Sequence, residues 1–457
     1  GLRADSKCAY VRAKNSVSGD FRVIYAEFVG LGSALTNQNG VNLFNGGTAA
    51  RGEFSSSTLR DGYQGLELRL SAGATVARNV SYNNQGTGIY LNSNADSSLV
   101  RENLLIANGG DGFYLNTAAG NALTDNIVSA NTFRGLNVTN GSYRNAFSSN
   151  VIHANAGGGV QFVNAGTYGN ASSYDAVYGN SQEGIFVTGG PELTSFIGLR
   201  VSSNNTRGLY IDSTANRITV AGGRFNGNPS GGVLSDGTLV TLRGNSAYGN
   251  GTFGISVENA SQTVVGNRSY SNTGIGRGFI VTNGSHTFID NYSYGNSGPG
   301  VFVQEASSVV WAGGGIGIKP DGTASANAGG EILYDPISSF AMNMELKGTR
   351  ADLGSVDVTA LTAGNSLTAY ALSYDTGTMR VWGDLAVSGR NFRLDYSSNS
   401  YAATASQPVR MSGANGHSAS VGGLSDAEAV SQLVSIEYRG GSWRLDGSVT
   451  GPNMRSF

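Results

Sequence analysis

Three carboxylates stand at one offset from three evenly placed glycines: Asp212, Asp236 and Glu258 each lie four residues after Gly208, Gly232 and Gly254. Carboxylates stacked in a column are expected to repel one another, as in the paired carboxyls of glycosidases. Glycoside hydrolysis needs such a pair, one acid and one carboxylate. If each interval is one coil, adjacent members lie about 5 Å apart, as in retaining enzymes, and Asp212 and Glu258 about 10 Å apart, nearer the inverting separation. The competing reading is that Asp236-Gly237 marks a turn and the three acids are solvated or hold a cation.

Two residues after each glycine runs a second column: Glu67, Tyr90, Tyr114, Asn137, Gln161, Phe186, Tyr210, Leu234, Ser256, Ile280 and Phe302. Rings and amides side by side suit a sugar chain, the rings against its apolar faces and the amides on its hydroxyls. Tyr90, Tyr114, Asn137, Gln161, Phe186 and Tyr210 are therefore candidate substrate-binding residues. Outward aromatics also satisfy strand propensity or meet another subunit. A charged column precedes the glycines, with Asp111 under Arg134, Glu183 under Arg207, and Arg277 further on. Opposite charges there read as surface ion pairs, while Arg207 and Arg277 are alternatively receptors for an acidic sugar. A further column holds Tyr82, Ile106, Ser129, His153, Tyr178, Ser202, Asn226, Tyr248, Tyr270 and Tyr294, and suits either carbohydrate or an oligomer interface.

What positions these columns is a repeat. From Gly40 to Gly300 a glycine recurs about every 24 residues, followed by an apolar-x-apolar outline such as Gly88-Ile89-Tyr90-Leu91. Alternation turns the first and third residues after the glycine inward and the second and fourth outward. The period fits one coil of a parallel β-helix, and the repeats predict about twelve coils. Asparagines five residues apart recur with the same period, among them Asn103/Asn108, Asn126/Asn131, Asn150/Asn155 and Asn267/Asn272. Stacked at one turn, their amides are expected to bond to their equivalents above and below.

Residues 1–38 lack the repeat and are expected to cap the first coil; 39–318 form the β-helix and 319–330 a linker. Residues 331–457 alternate with period two between turns, which predicts an antiparallel, β-sandwich-like C-terminal domain with a short helix from Ser425 to Leu433. The fold class is all-β.

Composition narrows the function classes. The chain has 457 residues, 69 of them glycine, with 13% charged residues and a net charge of −2. No basic stripe is present for nucleic acid, and no apolar run reaches the length of a membrane span. Cys8 is alone and no metal-ligand spacing occurs, so neither a metal nor another cofactor is expected. Lysine is confined to Lys7, Lys14, Lys319 and Lys347, leaving none in the repeats. A lyase would then need Arg, Tyr or His as its base, which favours a hydrolase.

The outline Asn-x-x-x-x-Asn followed by Gly-apolar-x-apolar resembles the right-handed parallel β-helix superfamily of pectate lyases, periplasmic β-helix proteins and phage tailspikes. Neither the Trp-Ile-Asp-His segment of pectate lyases nor the Asp-Pro-His-Asp segment of alginate epimerases is present, so no catalytic residue carries over from either. The run Leu433-Val-Ser-Ile-Glu-Tyr-Arg-Gly-Gly-Ser-Trp-Arg-Leu-Asp-Gly resembles the closing strands of tailspikes and tail fibres. That resemblance implies a homotrimeric, extracellular protein of a virion tail or cell surface, which recognises a bacterial surface polysaccharide and, where its carboxylates act, depolymerises it. The alternatives are a non-enzymatic adhesive β-helix and a secreted polysaccharide lyase or hydrolase.

Overall fold

In the computed structural model the described residues are 9–330, less 15–20, 36–37, 45–51, 318, 324 and 330, together with the backbone of separate strands beyond 330. They divide into two units, Gly1–Val240 and Thr241–Phe457.

The first unit is built from three parallel sheets, each coil giving one short strand to each. The first sheet takes the strand after the repeat glycine, for example Ile89–Asn92, Phe113–Asn116 and Leu136–Thr139, paired without a register shift. The second takes Leu99–Arg101, Ala122–Thr124 and their equivalents, and the third takes Leu104–Ile106, Ile127–Ser129 and theirs. Within residues 1–38, expected as a cap, Val11–Lys14, Arg22–Ile24 and Glu27–Val29 add one strand to each of the three sheets, in register with the strands of the next coil.

Local chemistry explains the period. A Cβ on Gly88 would come within 2.6 Å of Leu105 Cδ2, 2.8 Å of the Gly112 carbonyl and 2.9 Å of Asn108 Nδ2. At Gly112 the same atom would meet Val128, the Gly135 carbonyl and Asn131 Nδ2. The glycine and the second asparagine of each coil are thus one device, since a side chain at the former would displace the latter.

The asparagines stack as expected. Asn126 Oδ1 accepts from Asn103 N–H at 2.9 Å and Asn103 Nδ2 at 3.0 Å, and Asn126 Nδ2 donates to Val100 O and Asn150 Oδ1. A parallel ladder runs Asn84, Asn108, Asn131, Asn155, Asn180, Asn204, Asn228. Just before the first ladder the backbone turns through a left-handed residue, Glu102 at φ 57° or Asp125 at φ 55°. That conformation costs a non-glycine residue about 1 kcal/mol, and the amide that ties down the next N–H offsets it.

Between the sheets lies an apolar core with Phe113, Phe147, Phe162, Phe196 and Phe225 fully or nearly fully buried. Phe162 meets Phe147 and Phe196 edge-on at 5.7 and 5.5 Å.

The second unit repeats the plan. Phe253–Glu258 pairs in parallel with the strand from Arg277, and Val301–Ile316 follows on. Its ladders run Asn245, Asn267, Asn291 and Asn250, Asn272, Asn296, Asn327. Towards the C-terminus Val434–Arg439, Ser442–Gly447 and Gly451–Ser456 pair antiparallel. The expected sandwich and the Ser425–Leu433 helix fall largely outside the described residues.

Candidate functional site

The outward face of the first sheet in the first unit brings together the substrate-binding candidates. Register pairs run Glu67, Tyr90, Tyr114, Asn137, Gln161, Phe186, Tyr210, Leu234, one residue per coil. Tyr90 and Tyr114 stack on each other with centroids 4.9 Å apart, and Phe186 and Tyr210 at 5.0 Å, both pairs inclined by only 14°. Inside each pair the facing ring surfaces are taken. The outer face of Tyr114 is directed along the column towards Asn137, and that of Phe186 towards Gln161.

Between these two faces Asn137 and Gln161 form a floor, 9% and 8% exposed. Tyr114 and Phe186 are three coil intervals apart, about 14 Å, which leaves a notch about 10 Å tall after the ring half-thicknesses. Burial pushes the Tyr90 hydroxyl up to about 12 and raises that of Tyr114, on which the charge of Asp111 acts in the same sense. Both phenols therefore keep their protons at neutral pH and serve as hydrogen-bond groups.

Asp111 corrects the sequence reading. It was expected to pair with the Arg134 guanidinium, but its carboxylate accepts from the Arg134 backbone N–H at 2.9 Å and from Asn137 Nδ2 at 3.0 Å. Burial raises its pKa, opposed by those two hydrogen bonds and the Arg134 charge. The bond to Asp111 also fixes the Asn137 amide, and Asn137 Oδ1 is then buried with no hydrogen-bond partner. The sequence signal for this group was the acid before Gly112 opposite an amide one coil on, a diagonal that column-by-column reading does not follow.

Beside the notch runs a directed chain of amides. Asn164 Nδ2 donates to Asn140 Oδ1, Asn140 to Asn116, Asn116 to Asn92 and to the Tyr90 hydroxyl, and Asn92 to Glu67. Glu67, though outward, is 1% exposed and also takes Asn42 Nδ2 at 2.6 Å. It is a structural terminus for the chain rather than a ring-binding position.

The candidate acids divide between the units. Asp212 and Asp236 directly follow the register pair Ile211 and Ser235, and each backbone N–H continues the ladder, to Val187 O at 2.9 Å and Ile211 O at 2.8 Å. The Asp212 carboxylate accepts from the hydroxyls of Thr188 and Thr214 and from Thr214 N–H at 2.9 Å. Glu258 belongs to the second unit, in register with Thr282, and accepts from Ser256 Oγ at 2.8 Å.

Among the other candidates, Arg207 lies over the Tyr210 ring at 5.0 Å and reaches Glu183 at 3.5 Å, the ion pair expected from sequence. His153 stacks on Tyr178 at 4.9 Å, and Tyr248, Tyr270 and Tyr294 form the expected run at 5.0 Å steps. Among the described residues no three of His, Cys, Asp and Glu gather as metal ligands, and no helix is long and apolar enough to cross a membrane.

Parallel coils, glycine-gated amide ladders and an outward polar face define a class. The chain belongs to the right-handed β-helix family, whose model, described as the right handed beta helix region, matches residues 18–175 and 176–313. Among solved structures it is similar to the A-module of a mannuronan C-5 epimerase of Azotobacter vinelandii, at 16% identity over 72% of this chain and 92% of that one, TM-score 0.42. It is also similar to a periplasmic alginate epimerase, at 10% identity over 74% and 76%, TM-score 0.44. A third is tailspike protein 2 of the Escherichia coli O157:H7 bacteriophage CAB120, at 12% identity over 71% and 39%, TM-score 0.38. No curated protein matches the chain by sequence.

Proposed function

We propose that the chain is a tailspike-type receptor-binding β-helix that holds a bacterial surface polysaccharide in the notch between Tyr114 and Phe186. One observation carries this reading. Two stacked ring pairs, Tyr90 with Tyr114 and Phe186 with Tyr210, bracket the Asn137 and Gln161 amides in one register column on the outward face of a single sheet. Sugar hydroxyls suit the amides, and the two ring faces suit the apolar faces of two different sugars of one chain. In this reading the Gln161 amide adds a second contact to the sugar, and Tyr90 and Tyr210 support the rings that line the notch.

Cleavage of the bound glycan is assigned to Asp212 and Asp236 of the first unit, and self-association to a homotrimer outside the cell follows from the resemblance of residues 433–447. Purified chain is incubated with polysaccharide from candidate hosts, with binding measured by calorimetry, product length by chromatography and mass by light scattering. Asn137→Ala should weaken binding at least ~10-fold with folding intact. Asp212→Asn combined with Asp236→Asn should stop shortening while binding persists. Unchanged binding in Asn137→Ala rules out the notch, and shortening at the parent rate in the double variant moves catalysis elsewhere. The second reading, a non-enzymatic adhesin, is favoured by the three donors on Asp212, which suit a turn-holding carboxylate, and predicts binding without shortening by the parent chain.

A further inference from the structure

Arginines in this molecule come in two settings. Arg22, Arg60, Arg78, Arg101 and Arg207 each reach a carboxylate at 2.5 to 3.6 Å. Arg277, in the second unit, lies on an aromatic ring instead, as Arg12 does on Phe44 at 4.3 Å. It stands one residue before Gly278 on the outward side of the first-sheet strand, and its guanidinium carbon lies 4.3 Å from the centre of the Phe302 ring. It forms no ion pair within 4 Å among the described residues, and Glu258 is separated from it along the sheet, being in register with Thr282 while Arg277 is in register with Phe253. The Phe302 ring beneath it is half-buried, and its backbone register partner Phe253 is 7% exposed. Burial alone lowers the pKa of Arg277, with no carboxylate acting against it.

A guanidinium loses hydration when it is laid on a ring, and a neighbouring anion ordinarily restores what is lost. Here the ring supplies part of the compensation, through its negative face. The ring contact occupies the flat side of the guanidinium and leaves its in-plane N–H edges to donate, the arrangement that binds a carboxylate with two parallel hydrogen bonds. We propose that Arg277 and Phe302 form an anion subsite that takes the carboxylate of an acidic sugar, so that the ligand of this protein is an anionic polysaccharide. This rests on the glycan-binding reading for the carrier of the charge, but not on the notch of the first unit.

The test separates the two. A panel of acidic bacterial polysaccharides is presented to the full chain, each beside its carboxyl-reduced form, which keeps sugar and linkage and removes the charge. Binding of at least one acidic member, weakened at least ~10-fold by carboxyl reduction and falling steeply with added salt, is expected. Arg277→Gln should abolish the preference for the acidic form, and Arg277→Lys should keep part of it, because the point charge remains and the planar fork is lost. Both variants should melt close to the parent temperature, since among the described residues the guanidinium has no counter-ion to lose and only its ring contact changes. Equal binding of acidic and reduced forms, or a preference that survives in Arg277→Gln, overturns the anion subsite and leaves glycan binding standing. Failure to bind any member of either series overturns both.

Discussion

Two sets of amides run the length of the first unit, and they differ in one respect. Inside the coils the ladder runs in one direction with its amides satisfied: the Asn126 side chain accepts twice from Asn103 and donates twice, to Val100 O and Asn150 Oδ1. On the outward face Asn137 donates to Asp111 and keeps Oδ1 without a partner, although it too is nearly buried. The residue type and the period are the same. Satisfaction of the hydrogen-bonding groups, rather than residue identity, separates the ladder amides from Asn137.

That contrast breaks most visibly at the ladder. Asn126→Ala removes four hydrogen bonds and strands the Asn103 donors and the Val100 carbonyl in the interior. It should cost about 3 kcal/mol or more, seen as a lower denaturant midpoint and as faster hydrogen exchange in the adjoining coils.

A smaller effect of opposite sign is expected where an acid interrupts the ladder. Asp175 Oδ1 accepts from the N–H and Nδ2 of Asn150 at 2.7 and 2.9 Å, as an asparagine would. Its second oxygen takes Ser172 Oγ at 2.6 Å, and the Phe147 carbonyl that an amide would have reached is met instead by Ser173 Oγ at 3.4 Å. Burial raises the Asp175 pKa from 3.8 to about 6, opposed by these hydrogen bonds. Because the folded value lies above the unfolded one, the stability contribution is full below about pH 4 and is lost as pH rises through about 6. Asp175→Asn should therefore raise stability at pH 7 by about 1–3 kcal/mol and flatten the melting temperature between pH 4 and 6. An unchanged pH profile would show that the carboxylate is fully accommodated.

The outward amides should behave oppositely to the inner ones. Asn137→Ala should change stability by no more than about 1 kcal/mol, because only the bond to Asp111 is lost, while removing glycan affinity. A large loss of stability would erase the distinction. Least of all should stability respond to Asp212→Asn, which keeps an acceptor for Thr214 and leaves the backbone ladder intact; a change within about 0.5 kcal/mol is expected by thermal melting.

Much of the architecture was legible before any coordinates. The glycine spacing set the coil, and because alternation has period two, a fixed offset from glycine put residues such as Tyr90 and Tyr114 in one register column. The asparagine pairs were readable as ladders, since equivalent side chains in stacked coils can meet only their own kind. Within residues 11–29 the strands of the three sheets were missed because they carry neither the glycine nor the paired asparagines.

What the sequence determined by itself is the period, the inward and outward assignment and the membership of each column, all of which follow from local geometry repeated at a constant step. Only the tertiary structure decided which rings spend their faces on each other, that Asp111 turns to Asn137 and the Arg134 backbone rather than to the Arg134 guanidinium, that Glu67 is sealed beneath amides, and that Arg277 lies on Phe302 without a counter-ion. These are choices among rotamers a few ångströms apart. They depend on what every neighbouring side chain leaves vacant, and no spacing along one chain records that.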